Sequence, residues 1–259
     1  MNSENRNELS EKKNHSSLSK KILLVLITAL VLLIVWGICS LFMSFMKVSK
    51  IVIDGEMKYS ESDIIEAGMV EVGMKIRKID TNELEKKLKM ALPYISDAKV
   101  KVGAFGKLKI QIIEDEAEYY TLISKNYFAL NNDFRILESS NDKYKFSHLV
   151  YIDLPAVKSA IAGEIISFYS EDEEFFVRGF VSDLNDSFLS EKIILIDASE
   201  KYNLSIACFD YDVIFGAYKD MSKKFGYIEL MEKDAVVKER EGVVLDVSNP
   251  EDATIKFKK

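Results

Sequence analysis

The run Ile22–Met46, ILLVLITALVLLIVWGICSLFMSFM, contains no charged side chain, and it restricts the possible folds more than any other feature of the chain. As a helix rising about 1.5 Å per residue it would be roughly 37 Å long, enough to cross a hydrocarbon core of about 30 Å with some tilt. A buried helix in a soluble domain is seldom so long or so uniform. A cleaved signal peptide has a shorter apolar part of about 7–15 residues that closes on small side chains, whereas this run closes on Leu41, Phe42, Met43, Ser44, Phe45 and Met46. The expectation is a retained membrane helix over 22–46, preceded by a polar leader over 1–21.

The flanks orient it. Arg6, Lys12, Lys13, Lys20 and Lys21 precede the run; Lys47, Lys50 and Lys58 follow it, diluted by Asp54, Glu56, Glu61 and Asp63. Counting Lys and Arg, the N-terminus belongs in the cytoplasm and the bulk of the chain outside. The expected location is therefore the cell membrane, single-pass. The net charge is −7. The leader contributes +2, from five bases and three acids, so the remainder carries −9. An acidic exterior disfavours nucleic acid as a partner. Cys39 lies in the apolar run and Cys208 in an expected strand, so the two cannot pair across a membrane interface. The exterior must be held by its core, and about 210 residues suffice for one.

Past Lys47 the pattern becomes periodic. Val48–Asp54 alternates and is β-branched, closing on Asp54-Gly55. Ser60 with Asp63 reads as a capping box, and Tyr59 with Ile64 as its hydrophobic staple, for a short helix ending near Gly68. Asp80, Glu83, Ile79 and Leu84 repeat that start; Leu84, Leu88, Ala91 and Leu92 fall on one helical face, and Pro93 stops it. Ala98, Val100 and Val102 then alternate with lysines, the 103–106 segment turns, and Leu108, Ile110 and Ile112 alternate back as a hairpin. The order over 47–116 is strand, helix, helix, strand, strand: two helices on one face of a three-stranded sheet.

From 117 to 259 the pattern is mostly strand. The segments 118–124 and 126–139 read as short strands around a tight turn at Asn131–Asp133. A further strand covers 149–155, and a meander covers 192–218. Two helices interrupt the strands: Glu171–Leu189, with Phe176, Phe180, Leu184 and Phe188 on one face, and Asp220–Lys233, using Met221, Phe225 and Ile228. Segments 242–248 and 253–259 close the chain as strands. The expected class is α+β: a βααββ unit, then a β-rich unit with two helices packed on an antiparallel-type sheet.

Chemistry-bearing patterns are sparse. His148 is the one histidine outside the leader and run, and no His–Cys cluster provides the three or four ligands of a zinc site. No G-x-S-x-G, Walker loop or G-x-G-x-x-G occurs. Glu114 and Glu116 share a strand face and could in principle act as acid and base, but an EDE strand end is ordinarily a solvated rim. No catalytic residue, cofactor, metal or small-molecule substrate is expected. A chain that reads as an anchored exterior without convergent reactive groups is expected to bind.

Several segments resemble the FtsQ/DivIB family of bitopic bacterial division proteins. VSKIVIDG followed by SESDI is similar to the opening of that family's POTRA domain. The stretch from Gly73 to Tyr120 resembles its second half, with a Leu92-Pro93-Tyr94 step, an Ala-x-Val strand and an apolar strand running into Glu114. YFALNNDFRILES, LVYIDLP, DVIFGAYKDMSKKFGYIEL and GVVLDVSNPEDATIKFK resemble the start, middle and closing strands of its β domain. The chain departs from the family at Phe105-Gly106, at Glu114-Asp115-Glu116-Ala117 and at Asn131–Asp133, where the family often has aromatic-Pro, Glu-Arg-x-Pro and Asp-x-x-Gly. The resemblance implies no catalysis. It implies recruitment and regulation of septal wall synthesis by binding other division proteins, FtsL and FtsB/DivIC among them. The expected mode is strand addition at the C-terminal sheet edge, with Val243, Val244, Leu245, Asp246, Val247, Ile255 and Phe257 as the binding residues. The competing expectation is an anchored sensor that holds a peptide or wall fragment in a concave pocket.

Overall fold

The computed structural model describes residues 24–37, 45–55, 58–234 and 242–258. The leader 1–21 lies outside the described residues, as do 22, 23 and 38–44 of the expected span. Residues 24–37 are helical and expose Leu, Ile, Val and Trp side chains on every face. Among the described residues no helix is long and apolar enough to cross a membrane.

The first folded unit starts directly at the end of the apolar run. Strand β1 (Lys50–Asp54) leads to α1 (Glu61–Gly68), α2 (Thr81–Ala91), β2 (Ile95–Val102) and β3 (Lys107–Glu114). The sheet order is β1-β3-β2, with β1 parallel to β3 and β2 antiparallel to it. Local chemistry sets the helix ends. The Ser60 hydroxyl accepts the Asp63 N–H, and the Asp63 carboxylate accepts the Ser60 N–H, a complete capping box. At α2 the Asp80 carboxylate accepts both the Asn82 and Glu83 N–H groups, while Glu83 turns instead to Lys87 at 2.8 Å. Ile64, Leu84 and Leu88 from the helices meet Ile95, Ala98, Val100, Leu108, Ile110 and Ile112 from the strands in one buried cluster. Ala91 and Val102, expected inside, are exposed, because the helix and the strand each overrun the edge of that core. The two helices touch closely at Gly68, where a Cβ would come within 2.8 Å of Leu84 Cδ1. The left-handed residue that ends α1 is Met69 (φ 51°), not the glycine.

The second unit is built on nine strands: β4 (Tyr119–Ile123), β5 (Asn126–Leu130), β6 (Ile136–Ser140), β7 (Val150–Asp153), β10 (Ile193–Asp197), β11 (Leu204–Cys208), β12 (Tyr211–Gly216), β13 (Val243–Asp246) and β14 (Thr254–Phe257). Their order is β14-β13-β12-β11-β10-β7-β4-β5-β6. A separate ribbon pairs β8 (Val157–Ser159) with β9 (Ser167–Phe168).

The expected antiparallel-type sheet is corrected to a mixed one: β4–β7, β7–β10 and β12–β13 are parallel. Parallel neighbours need a long crossover, usually through a helix. The two helices supply two of these crossovers, α3 (Glu171–Asn185) between β7 and β10 and α4 (Met221–Met231) between β12 and β13. Phe176, Phe180 and Leu184 of α3 and Ile228 of α4 are buried with Ile196, Ile206, Val213, Phe215, Val243 and Leu245 of the sheet. Helix α3 ends at Asn185, so Phe188 leaves the helical face and is partly exposed.

Candidate functional site

Strands β12, β13 and β14 close one side of the large sheet, and their sequence explains how. Val243 and Leu245 alternate inward and are fully buried, as is Val247 just beyond them. Val244 and Asp246 alternate to the other face. At the end of β13 the Asp246 carboxylate accepts the Ser248 N–H at 3.0 Å and the Ser248 hydroxyl at 2.6 Å, which turns the chain. Asn249 then caps a short 3-10 turn over Pro250–Asp252 by accepting the Glu251 N–H, and the chain returns as β14.

The register is Val243 opposite Phe257, Val244 opposite Lys256, Leu245 opposite Ile255 and Asp246 opposite Thr254. Ile255 and Phe257 therefore share the core-side face with Val243 and Leu245. Ile255 packs against the core, and Phe257 remains 43% exposed at the margin. On the opposite face Lys256 pairs with Asp246 at 2.6 Å and Lys258 with Asp212 at 2.6 Å, tying the last three strands together. Burial alone would raise the Asp246 carboxyl; its bonds from Lys256 and Ser248 outweigh that and hold it below the usual carboxylate range.

Among the described residues β14 is the terminal strand of the sheet, whereas β13 is paired on both sides. The Lys258 N–H bonds the Gly242 carbonyl at 2.8 Å. Hydrogen-bonded and non-hydrogen-bonded pairs alternate along an antiparallel ladder, so the backbone N–H and C=O of Ile255 point away from β13. The seven expected binding residues thus divide by place: Val243, Leu245 and Val247 are core, Val244 and Asp246 lie on the paired inner strand, and Ile255 and Phe257 lie on the terminal strand.

The sheet margin rests on a cation that sequence reasoning missed. Lys224 of α4 is 2% exposed, and its ammonium donates to the Phe215 and Ala217 carbonyls at 2.7 Å each. Burial pushes its pKa down. Its place among Met221, Phe225 and Ile228 on the apolar face was the available signal.

A cleft of 840 Å³ lies between the two units and is lined by Lys58, Tyr94, Glu114, Glu138, Lys145 and His148 among others. Its polar groups largely satisfy one another. Tyr94 donates to Glu138 at 3.0 Å, Lys145 pairs with Glu138 at 2.5 Å, and the Lys58 ammonium sits 3.4 Å over the Tyr94 ring. Burial would raise the Glu138 carboxyl, but the bonds from Lys145 and Tyr94 and the Lys58 charge hold it low; burial and the Glu138 bond push the Tyr94 hydroxyl up. Glu114 accepts the Lys58 N–H with both oxygens, at 2.9 and 2.7 Å, so this carboxylate anchors backbone. His148 is exposed on the cleft rim. Cys208 is buried, and burial pushes its thiol up to about 12. Among the described residues no group of three or more His, Cys, Asp or Glu side chains could hold a metal ion.

Comparison with known proteins gives two findings. Residues 46–114 match the family model of the FtsQ-type POTRA domain. Over 202 residues the chain is 23% identical to the cell division protein DivIB of Clostridium tetani (strain Massachusetts / E88), which covers 77% of this chain and 76% of that protein.

Proposed function

The chain belongs with the FtsQ/DivIB cell-division proteins, and from that premise we propose that it is a membrane-anchored, non-catalytic scaffold of the division machinery. In this reading 22–46 is its single span, the leader faces the cytoplasm, and the two folded units stand outside at the septum. There they recruit and regulate wall synthesis by binding other bitopic division proteins of the FtsL and FtsB/DivIC type. Helix 24–37, apolar on every face, supports the anchor, since such a surface needs lipid or a protein core around it.

The observation that carries the binding mode is the β14 margin. Outward backbone groups at Ile255, beside a half-covered apolar strip, are what an incoming strand requires. Strand addition uses main-chain bonds for affinity and alternate side-chain pockets for selectivity, so Ile255 and Phe257 would form the contact. Val243, Val244, Leu245, Asp246 and Val247 would hold the contact strand in register. Lys256 and Lys258 fit the common device of charging an edge to keep it from wrong partners.

The test is Ile255→Pro. It removes an outward N–H and leaves the bonds to β13 in place. We expect affinity of the full chain for the partner pair to fall about tenfold, as one or two lost backbone bonds would give. Binding unchanged in a folded variant would remove the β14 proposal. The pocket reading is weaker, because the charges of the inter-unit cleft are spent on one another.

A further inference from the structure

Strand β1 does not leave the apolar run alone. On one side, the Val48 N–H bonds the Met74 carbonyl at 2.8 Å, Gly73 N–H bonds the Val48 carbonyl at 2.7 Å, and Ile76 N–H bonds the Met46 carbonyl at 3.1 Å. On the other, the Ser49 N–H bonds the Gly106 carbonyl at 2.9 Å and the Ser49 hydroxyl bonds the Phe105 carbonyl at 2.8 Å. The 71–75 turn and the β2–β3 hairpin tip therefore flank residues 46–49. Gly106 fits so tightly that a Cβ there would come within 2.0 Å of the Lys47 carbonyl oxygen. With about 3.8 Å between consecutive Cα atoms, the tip is fixed within roughly 10 Å of chain from the end of the apolar run.

This end of the unit has a distinct surface. Phe105 is 86% exposed and adopts φ 58°, a costly conformation for a bulky side chain. Val72 (63% exposed) and Phe45 are exposed close by in the chain segments just named. Lys47, Lys50, Lys75, Lys101 and Lys107 lie on the same segments and are all exposed, against one acid, Glu71. None of these lysines forms an ion pair among the described residues. The concentration of positive charge opposes the −9 carried by the chain beyond its leader. The far end of the unit has the opposite sign, with Asp54, Glu114, Asp115 and Glu116.

The geometry points to a second membrane contact: the β2–β3 hairpin tip lies in the bilayer interface, Phe105 enters the headgroup layer, and the surrounding lysines bind anionic lipid. This rests on the reading that 22–46 spans the membrane. Aromatic side chains favour that depth, and lysines are attracted to an anionic surface within a Debye length of about 10 Å at 0.1 M salt. The contact would fix the tilt of the unit over the bilayer, and with it the direction in which β14 is presented.

The test uses the full chain in vesicles of phosphatidylglycerol and phosphatidylcholine. The chain has one tryptophan, near the middle of the apolar run, so Trp36 of the unaltered protein reports the anchor through quenching by lipid brominated deep in the acyl chains. Phe105→Trp in a Trp36→Phe background reports the tip, and Phe209→Trp, exposed at the β11–β12 turn, is the control. We expect Phe105→Trp to emit to the blue of the control and to be quenched by lipid brominated near the headgroup. Replacing Lys47 or Lys75 with Gln should reduce the quenched fraction relative to the unquenched by about fivefold per lysine, as should added salt. Phe105→Trp matching the control while Trp36 is quenched would overturn the contact and leave the anchor standing. If Trp36 is itself unquenched, the anchor and the contact both fall. A blue shift without lipid quenching, seen only after a division partner is added, would assign the tip to protein instead of lipid.

Discussion

At the residue scale, the buried ammonium of Lys224 is the least replaceable polar group near the candidate edge. Two carbonyls, Phe215 and Ala217, depend on it, and both sit at the end of β12, which carries β13 and β14. Lys224→Met keeps the volume and strands both acceptors, so urea unfolding should show a loss of about 2–4 kcal/mol at an unchanged slope. Asp246 gives a pH signature. Its folded pKa lies below the unfolded value, so the folded state binds fewer protons there. The stability it contributes is complete above the ordinary carboxylate range and disappears as pH falls through the lowered value. Asp246→Asn should therefore cost stability at pH 7 and flatten the acid limb, read as urea midpoints from neutral pH down to pH about 3. An acid limb identical to that of the unaltered chain would show that the carboxylate is not held low.

At the scale of elements, the caps and alternations were legible because their causes are local. Ser60 with Asp63, Asp80 before α2, and the inward Leu108, Ile110 and Ile112 are each set by neighbours within a few residues. What was not legible depends on distant contacts. The parallel pairing of β4 with β7 and of β12 with β13 follows from where the chain returns after a hairpin or a helix, which alternation does not encode. The β8–β9 ribbon is too short to show a period. Glycines show the same limit. Gly68 ends α1 and Gly106 lies in the hairpin turn, as expected, but the alternation does not encode that Gly68 also admits the close approach of α2, or that Gly106 admits the Lys47 carbonyl. The same reasoning applies to the candidate edge. Its strands were expected, but only the strand order shows that β13 is internal and β14 terminal. Gly106→Ala faces a backbone atom at 2.0 Å with φ +81°, and neither can relax cheaply. We expect it to cost about 2–4 kcal/mol, against about 1 kcal/mol for Gly68→Ala, where a flexible Leu84 methyl can shift.

At the scale of the whole molecule, the two units are joined by Arg135, which sits at the start of β6. Its Nε donates to the Gly163 carbonyl at 2.9 Å, and its terminal nitrogens reach the Ile95 carbonyl at 3.3 Å and the Lys89 carbonyl at 3.2 Å; Asp115 lies 3.7 Å away. One planar guanidinium thus joins α2 and β2 of the first unit to the second, a task that a lysine's point charge does not perform. Arg135→Ala should split one cooperative thermal transition into two, seen by calorimetry, whereas a single transition would mean that the cleft contacts alone couple the units. Such a joint suits the proposed scaffold, whose output would be the placement of a binding edge at a set height and direction above the membrane. The most direct measurement is amide exchange at Ile255 in the full chain, with and without the FtsL and FtsB/DivIC-type pair. Strand addition predicts that this outward N–H exchanges readily in the free chain and becomes protected when the partners bind. Partners bound with Ile255 exchange unchanged would contradict the account.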